Sequence, residues 1–420
     1  MKNPAANDVA RAPLGPLGLL AGVTVLAWLA GVLWPRWLLL LGISEYGMVF
    51  LDSHALLAAV DAVRAGADPH AANPLDPLLR PHVYSDWWLA LRWLGLTRAD
   101  NFLLGAAWVG AFACVAWTTT RPRTWAEAVW LGALMVSPPF LLAINRANND
   151  LVIFVVLAGC GLAATAGAWW RLAAAAACLA LATGLKYFPA AGAAAFLWAR
   201  PVRRMPAALL LAMLAAGLAL ANVWTQIGRS RFAVGSGVHV MGAPLWWRDF
   251  GWPDDKSLLP GLLVIVTGAV ALVLGGVTAG LATRGEPRER LRGALGALVV
   301  LSCFAAGTNH AYRWIFLLWP ALWLWRRGTD ASLSARQRWA ARAGCSLAAV
   351  CLWLDGVFCV AINFLPPRDP AWVNQVQLLF RLGTQPLHWL LMILLAGWLL
   401  EGALATLLAW RADPAVHPTE

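Results

Sequence analysis

The chain has 420 residues, of which 60% are hydrophobic and only 13% are charged. Soluble domains are about 25% charged, so the composition excludes an ordinary soluble protein. The apolar runs are continuous and do not alternate over about 10 residues, which favours transmembrane helices over the strands of a closed barrel. We therefore expect an all-α, polytopic membrane protein.

Hydropathy predicts a bundle of twelve transmembrane helices in one integral membrane domain, residues 1–420. The first apolar run lacks a small-residue cleavage site and is expected to remain as an anchor. The predicted spans are 17–41, 102–119, 125–143, 151–169, 172–186, 188–199, 206–226, 258–282, 292–308, 314–326, 341–362 and 387–410.

The basic residues indicate the orientation of the chain. Lys and Arg in short loops are enriched on the cytoplasmic side of a membrane. With both termini inside, clusters such as RPVRR at 200–204 and TRGEPRERLR at 283–292 face the cytoplasm, and most acids face outward. The net charge of +11 is then largely a membrane-anchoring belt. We expect a multi-pass protein of the plasma (inner) membrane, with no nucleic-acid partner.

This orientation places four longer segments and two short turns outside. The segments are 45–100, 144–150, 227–257 and 363–386, and the turns are 186–187 and 308–313. Apolar residues at helical spacing across 53–65 predict an interfacial helix in the first extracytoplasmic loop. That loop, 45–100, holds Glu45, Asp52, Asp61, Asp68, Asp76 and Asp86.

Asp52 is the preferred catalytic residue of this loop. A carboxylate just above the bilayer is partly desolvated and can accept a proton as a general base. The alternative is structural, because Asp52 or Ser53 at this position can cap the N-terminus of the interfacial helix. Asp150, in a later outer turn, is the second catalytic candidate.

Three short motifs carry side chains suited to an anionic substrate. RANND at 146–150 is too rich in polar groups for an ordinary turn between apolar spans. A lysine such as the one in LKYF at 185–188 can bind phosphate as a point charge, or it can simply extend to the membrane interface. The third motif is NHAYR at 309–313. Together the three motifs provide the predicted substrate-binding residues, which are Arg146, Asn148, Asn149, Lys186, Tyr187, His310, Tyr312 and Arg313.

Tryptophans at span ends are typical of an aromatic belt, but Trp87, Trp88 and the pair Trp246–Trp247 are also candidates for a platform under a sugar ring or lipid chain. The cysteines show no zinc-type spacing, and the sequence contains no nucleotide-binding or HExxH motif. No metal site and no cofactor is predicted, although the many outer acids leave a metal open.

The motifs resemble a known family when they are taken in chain order. Asp52, GADPHAANPLDPLLRPHVYSDWWLAL, RANNDLVIF, GLKYFPAA and NHAYRWIFLLWP resemble the GT-C superfamily of polytopic membrane glycosyltransferases. They resemble in particular glycosyltransferase family 87, which includes polyprenol-phosphate-mannose-dependent α-mannosyltransferases. The resemblance extends over most of the chain, but such relatives often have Gly at the position of Ala147 and Tyr at that of His70.

The resemblance implies a GT-C-like fold and an inverting transfer of a sugar, a hexose or a pentose, on the extracytoplasmic face. The donor would be a polyprenyl-phosphate sugar and the acceptor a glycan or glycolipid. The base of that fold maps to Asp52. Its lipid-phosphate ligands map to Arg146, Lys186 and Arg313.

Two other functions stay open from the sequence. A transporter or flippase of a lipid-linked sugar would use the same basic residues without needing Asp52, but it should carry polar residues at mid-span on several helices. Here Asp355 and Glu401 are the main exceptions to apolar spans. A non-catalytic scaffold of the cell envelope would be unaffected by an Asp52→Asn substitution.

Overall fold

The computed structural model describes residues 14–43, 48–165, 168–199, 202–230, 239–245, 259–278, 286–307, 309–364 and 370–412. Within these ranges the chain is almost entirely helical, as predicted. The α-helices are α1 (Leu14–Leu33), α2 (Leu51–Arg64), α3 (Asn101–Thr120), α4 (Trp125–Met135), α5 (Pro138–Asn145), α6 (Asp150–Ala164), α7 (Trp169–Leu185), α8 (Met205–Ser230), α9 (Leu259–Leu274), α10 (Pro287–Ala306), α11 (Leu318–Thr329), α12 (Ala335–Asn363) and α13 (Pro370–Arg411).

Shorter elements connect these helices. A two-stranded antiparallel ribbon pairs β1 (Val240–Met241) with β2 (Asn309–His310). It brings the middle of the 227–257 segment beside the turn that follows α10. The described 3-10 helices are Pro35–Leu41, Asp86–Leu94, Arg98–Asp100, Phe188–Trp198, Val202–Arg204 and Ala311–Leu317.

Several helices are long and apolar enough to cross a membrane, which identifies a membrane protein. Among the described residues there are five such helices, or six if a bent pair counts as one span. The twelve-span count and the orientation stay predictions. The five helices are Gly15–Leu33, Arg98–Thr120, Met205–Ile227, Ala335–Asn363 and Ala371–Arg411.

The bent pair is α4 and α5, which meet at an angle of 59°. The sequence predicted one straight span at 125–143. Pro138 and Pro139 lie in the first turn of α5, where their missing N–H groups are tolerated but where a preceding helix cannot continue. The bend leaves α5 as a helix of 8 residues that is apolar up to Ile144, and the C-terminal end of α5 leads into the turn 146–150.

Two segments that the sequence predicts to lie outside, 45–100 and 363–386, differ from the expectation. α2 lies within the predicted region, but ten of its fourteen residues are buried, so it packs inside the protein more than on an interface. The segment 363–386 is mostly helix, because α13 starts at Pro370 and continues through Pro386. α13 has 42 residues. At a rise of about 1.5 Å per residue, its length far exceeds the roughly 30 Å thickness of the hydrocarbon core of a bilayer.

An aromatic core fixes α6 among its neighbours. The ring of Phe154 stacks on Trp319 with 4.1 Å between centroids and meets Phe112 edge-on at 4.9 Å. Phe112 and Phe154 are fully buried. Large rings buried together stabilise a helix position strongly. This core therefore determines where Asp150, the first residue of α6, is held.

At the opposite end of the helices, acidic and basic residues form a buried network. Arg326 at the end of α11 bonds to Glu127 near the start of α4 through Nε, at 2.8 Å, and also pairs with Glu289 of α10. Thr124 caps α4 by accepting a hydrogen bond from the Glu127 N–H at 3.1 Å. The network ties together the helix ends farthest from the turn 146–150.

Candidate functional site

The site is built around the turn 146–150, which joins α5 to α6. The backbone ties α2 to this turn. The Phe50 N–H donates to the Asn145 carbonyl at 3.0 Å, and the Asp52 N–H donates to the Arg146 carbonyl at 2.9 Å. Residues 94 positions apart are thereby placed side by side.

The turn presents its side chains in two directions. Arg146 and Asn148 reach α2, whereas Asn149 and Asp150 reach the end of α7. The turn is closed by the Asp150 N–H, which donates to Asn148 Oδ1 at 2.9 Å. Ala147, which lies between Arg146 and Asn148, is fully buried with φ of +42°. This is a left-handed conformation that glycine adopts at lower cost.

Asp52 lies in the first turn of α2 but does not cap it. The N-cap residue is Phe50, with φ of +62° and no side-chain capping bond. Asp52 and Ser53 both lie within the helix, so the capping alternative is wrong. The sequence could not show this because the apolar pattern begins after Asp52, whereas the helix starts at Leu51.

The Asp52 carboxylate is buried and fully hydrogen-bonded. Arg146 donates through Nε to Oδ2 at 3.0 Å and through Nη2 to Oδ1 at 2.8 Å. Asn148 Nδ2 donates to Oδ2 at 2.6 Å, and Arg80 Nη1 donates to Oδ1 at 3.3 Å. A carboxylate has about four acceptor positions, and these donors use all of them.

These contacts determine the charge of Asp52. Burial alone raises the pKa of a carboxyl group, but Arg146, Arg80 and Asn148 outweigh burial and hold the pKa of Asp52 well below its ordinary value. The carboxylate is therefore ionised at neutral pH. The same pairing outweighs burial at Arg146 and raises the pKa of its guanidinium.

The other half of the site surrounds Asp150 at the start of α6. Lys186, which follows α7, places Nζ 2.6 Å from Asp150 Oδ1 and 2.7 Å from Asn149 Oδ1. Arg313 Nε lies 3.6 Å from Asp150 Oδ2. Asp150 has no exposed surface, so one carboxylate balances two buried cations.

Aromatic rings enclose the lysine. Its Nζ lies 5.5 Å from the ring centre of Tyr84, 5.6 Å from Phe188 and 5.8 Å from Tyr312. Burial lowers the pKa of Lys186 to about 8, while Asp150 opposes this shift. The lysine is therefore still mainly charged at neutral pH, held between rings and oxygen atoms.

Arg313 differs from Arg146 and Lys186 because two nitrogens of its guanidinium make no hydrogen bond to the part of the chain that the structure describes. Its side chain is 10% exposed. Among the described residues, Nε and Nη1 find no hydrogen-bond acceptor. Buried guanidinium N–H groups are costly to leave unpaired, so this position suits an incoming anion.

The remaining predicted residues line the same region. Tyr312 is buried, and His310 stacks on it with 5.4 Å between ring centres. Burial lowers the pKa of His310 to about 4 and raises that of Tyr312, so both are neutral near pH 7. Tyr187 is partly buried and packs edge-on against Phe188.

The first loop closes over the end of α7. Trp88 is buried and donates from its indole N–H to the Leu185 carbonyl at 3.1 Å. Trp87 covers Gly184 so closely that a Cβ there would lie 2.1 Å from the ring. Trp88 is therefore too buried to form an open platform, whereas Trp87 is only partly buried and stays a candidate. Trp246 and Trp247 lie outside the described residues.

The structure therefore brings together all ten predicted site residues, from four separate segments. Sequence analysis missed Arg80, Asp76 and Tyr84 of the first loop: Arg80 joins Asp76 to Asp52, and Tyr84 lies beside Lys186. Only the stretch that resembles the glycosyltransferases, which contains all three, pointed toward them. His70 serves the loop itself, with Nε2 3.2 Å from Asp86 Oδ1.

Within the described ranges, no group of three or more His, Cys, Asp or Glu residues is arranged to hold a metal ion. Comparison with protein-family models, curated proteins and solved structures found no match for this chain. The resemblance to glycosyltransferases thus rests on the motifs.

Proposed function

We propose that this chain is a membrane glycosyltransferase. It moves a sugar, a hexose or a pentose, from a polyprenyl-phosphate donor to an extracytoplasmic glycan or glycolipid acceptor, with inversion at the sugar. The donor is a substrate, and the reaction uses no cofactor. The motif order shared with the GT-C superfamily and family 87 supports the proposal.

One observation carries the proposal. A single turn at one end of apolar helices joins an ionised carboxylate, Asp52, to a pair of buried cations, Lys186 and Arg313. A base and a site for a negative leaving group are the two things that glycosyl transfer from a lipid phosphate requires. A lipid substrate reaches such a site directly from the membrane.

The residues divide the chemistry between them. Asp52 accepts the proton of the acceptor hydroxyl as its oxygen attacks C1 of the sugar. Arg313, Lys186 and Arg146 stabilise the charge that develops on the departing lipid phosphate. Tyr312, which is buried, and His310, which is partly buried, are neutral and are placed to hydrogen-bond the sugar or the phosphate.

The test is sugar transfer by purified protein in proteoliposomes, with a panel of polyprenyl-phosphate hexoses and pentoses and envelope glycolipids as acceptors. We expect transfer from at least one donor. We expect Asp52→Asn to lower kcat by about 100-fold or more, since general base catalysis contributes about 10²–10⁴. Asp86→Asn is the matched control, because Asp86 is an acid of the same loop with a 39% exposed side chain.

The outcomes separate the candidate functions. Full transfer by Asp52→Asn would show that another group is the base. Translocation of the intact lipid-linked sugar, without cleavage of its phosphate bond, would replace the enzyme with a transporter. An envelope phenotype in cells that Asp52→Asn leaves unchanged, with neither activity present, would favour a scaffold.

A further inference from the structure

The hydrogen bonds of Asp52 conflict with its proposed role as a general base. A base must offer a free acceptor position to the incoming hydroxyl, yet side chains of the protein take all four positions of Asp52. Arg146 alone uses two of them, one on each oxygen. Departure of Arg146 would open one position on Oδ1 and one on Oδ2.

Arg80 and Arg146 are anchored differently. Arg80 donates from Nε to Asp76 Oδ2 at 2.9 Å and from Nη2 to the Leu51 carbonyl at 3.0 Å. Both anchors lie in the same loop as Asp52, and Asp76 is 1% exposed. Arg146 belongs instead to the turn that leads to Lys186 and Arg313.

Asp76 is itself held in a fixed orientation. Its Oδ1 accepts from the Leu78 N–H at 2.9 Å, and its Oδ2 accepts from Arg80. A buried carboxylate held from both sides fixes the direction of the guanidinium that binds it. Arg80 thus reaches Asp52 from a rigid support, through a single contact on one oxygen.

We propose that Arg80 is a positioning residue that keeps the Asp52 carboxylate in place when Arg146 turns to the phosphate of the lipid donor. The inference rests on the proposed function, and it adds an order of events: the donor binds first and thereby exposes the base. With Arg80 and Asn148 alone on Asp52, the carboxylate stays oriented and can accept a proton.

Transfer of the sugar forms one bond at C1 and breaks another. The acceptor oxygen forms a bond to C1 of the sugar, and the bond from C1 to the phosphate oxygen breaks. The electron pair of the broken bond leaves on the polyprenyl phosphate, beside Arg146, Lys186 and Arg313. The proton of the acceptor hydroxyl moves to Asp52, which later releases it to water.

The first test is the pH profile of kcat/KM for Arg80→Gln, Arg80→Lys and Asp76→Asn. Because Arg80 lowers the pKa of Asp52, its loss raises that pKa, and the acidic limb moves to higher pH. We expect Arg80→Gln to lower kcat by about tenfold or more, with the donor KM changed less than threefold, and Arg80→Lys to restore part of the rate. Asp76→Asn should act in the same direction.

The other groups facing Asp52 must be separated from this shift. They are Arg146, Tyr84, His310 and Tyr312. Since the pKa of His310 is about 4, the profiles are repeated with His310→Gln, where the Arg80 effect should persist. An unchanged acidic limb in both Arg80→Gln and Asp76→Asn would overturn the positioning role. So would a raised donor KM with unchanged kcat, which would make Arg80 a phosphate ligand.

A second measurement does not depend on transfer. Carbodiimides label protonated carboxyl groups, and Asp52 paired with Arg146 should resist them. Adding polyprenyl phosphate should raise labelling of the Asp52 peptide at least threefold, as read by mass spectrometry, whereas the uncharged polyprenol should not. No rise with polyprenyl phosphate would refute the release of Arg146. A protein that shows the rise but transfers no sugar would refute the proposed function instead.

Discussion

Asp150→Asn is the substitution that tests the charge balance of the site most directly. Asp150 is fully buried and faces Lys186 at 2.6 Å and Arg313 at 3.6 Å. Asparagine keeps the shape and one acceptor oxygen but removes the charge. Two buried cations are then left without their carboxylate.

The size of the effect follows from which cation can lose its proton. Removing one partner of a buried ion pair costs about 3–5 kcal/mol. Lys186 can relieve part of this cost by losing its proton, because Asp150 opposes the lowering of its pKa by burial and the pKa falls further when the carboxylate is removed. Arg313 cannot be discharged. We therefore expect Asp150→Asn to lower the free energy of unfolding by about 2–4 kcal/mol.

The same substitution should strengthen phosphate binding. Asp150 competes with an incoming phosphate for Lys186 and Arg313, so its neutralisation frees both. We expect polyprenyl phosphate to bind about tenfold more tightly, which corresponds to about 1.4 kcal/mol. Bound lipid should therefore restore much of the lost stability, by mass action.

The assay is thermal unfolding in detergent at pH 7, with and without polyprenyl phosphate, beside wild type and the control Asp86→Asn. The variant should melt lower than wild type when empty and gain more on adding the lipid. A variant that melts like wild type would show that Asp150 does not compensate the buried cations. Weaker lipid binding would show that Asp150 supports the phosphate site and does not compete with it.

Three further predictions use the same unfolding assay. The pKa of Lys186 falls from 10.5 to about 8 on folding, so the unfolded chain binds more protons than the folded chain between these two pH values. The stability of wild type should therefore rise with pH across that window relative to Lys186→Met. Parallel stability curves for the two proteins would contradict the burial of a charged lysine. Ala147→Gly should change stability by less than about 1 kcal/mol, because relief of the left-handed conformation offsets the lost packing and the added entropy of the unfolded chain. Ala147→Val should lower stability by more than about 2 kcal/mol. Equal melting temperatures of the two variants would refute the strained turn. Glu127→Gln should lower stability by about 2–4 kcal/mol with polyprenyl phosphate affinity unchanged, because Glu127 lies at the opposite end of the helices; a changed affinity would show that the two ends are coupled.

The sequence alone determined that the chain is a helical membrane protein, and it predicted which short motifs form the site. Long apolar runs follow from the need of a spanning segment to bond its own backbone internally. Alternation of those runs placed Asp52, the turn 146–150, Lys186 and the turn 308–313 on one side. The structure brings these four segments together at one end of the helices.

Tertiary structure alone decided which charge meets which. Asp52 and Arg146 are 94 positions apart, and no local pattern shows which basic residue pairs with Asp52. Arg80 and Asp76 were missed because their importance depends on a loop that folds back over α2. The bend at Pro138 instead has a local cause, the two prolines that begin α5, whereas the full length of α13 was not visible in the hydropathy pattern.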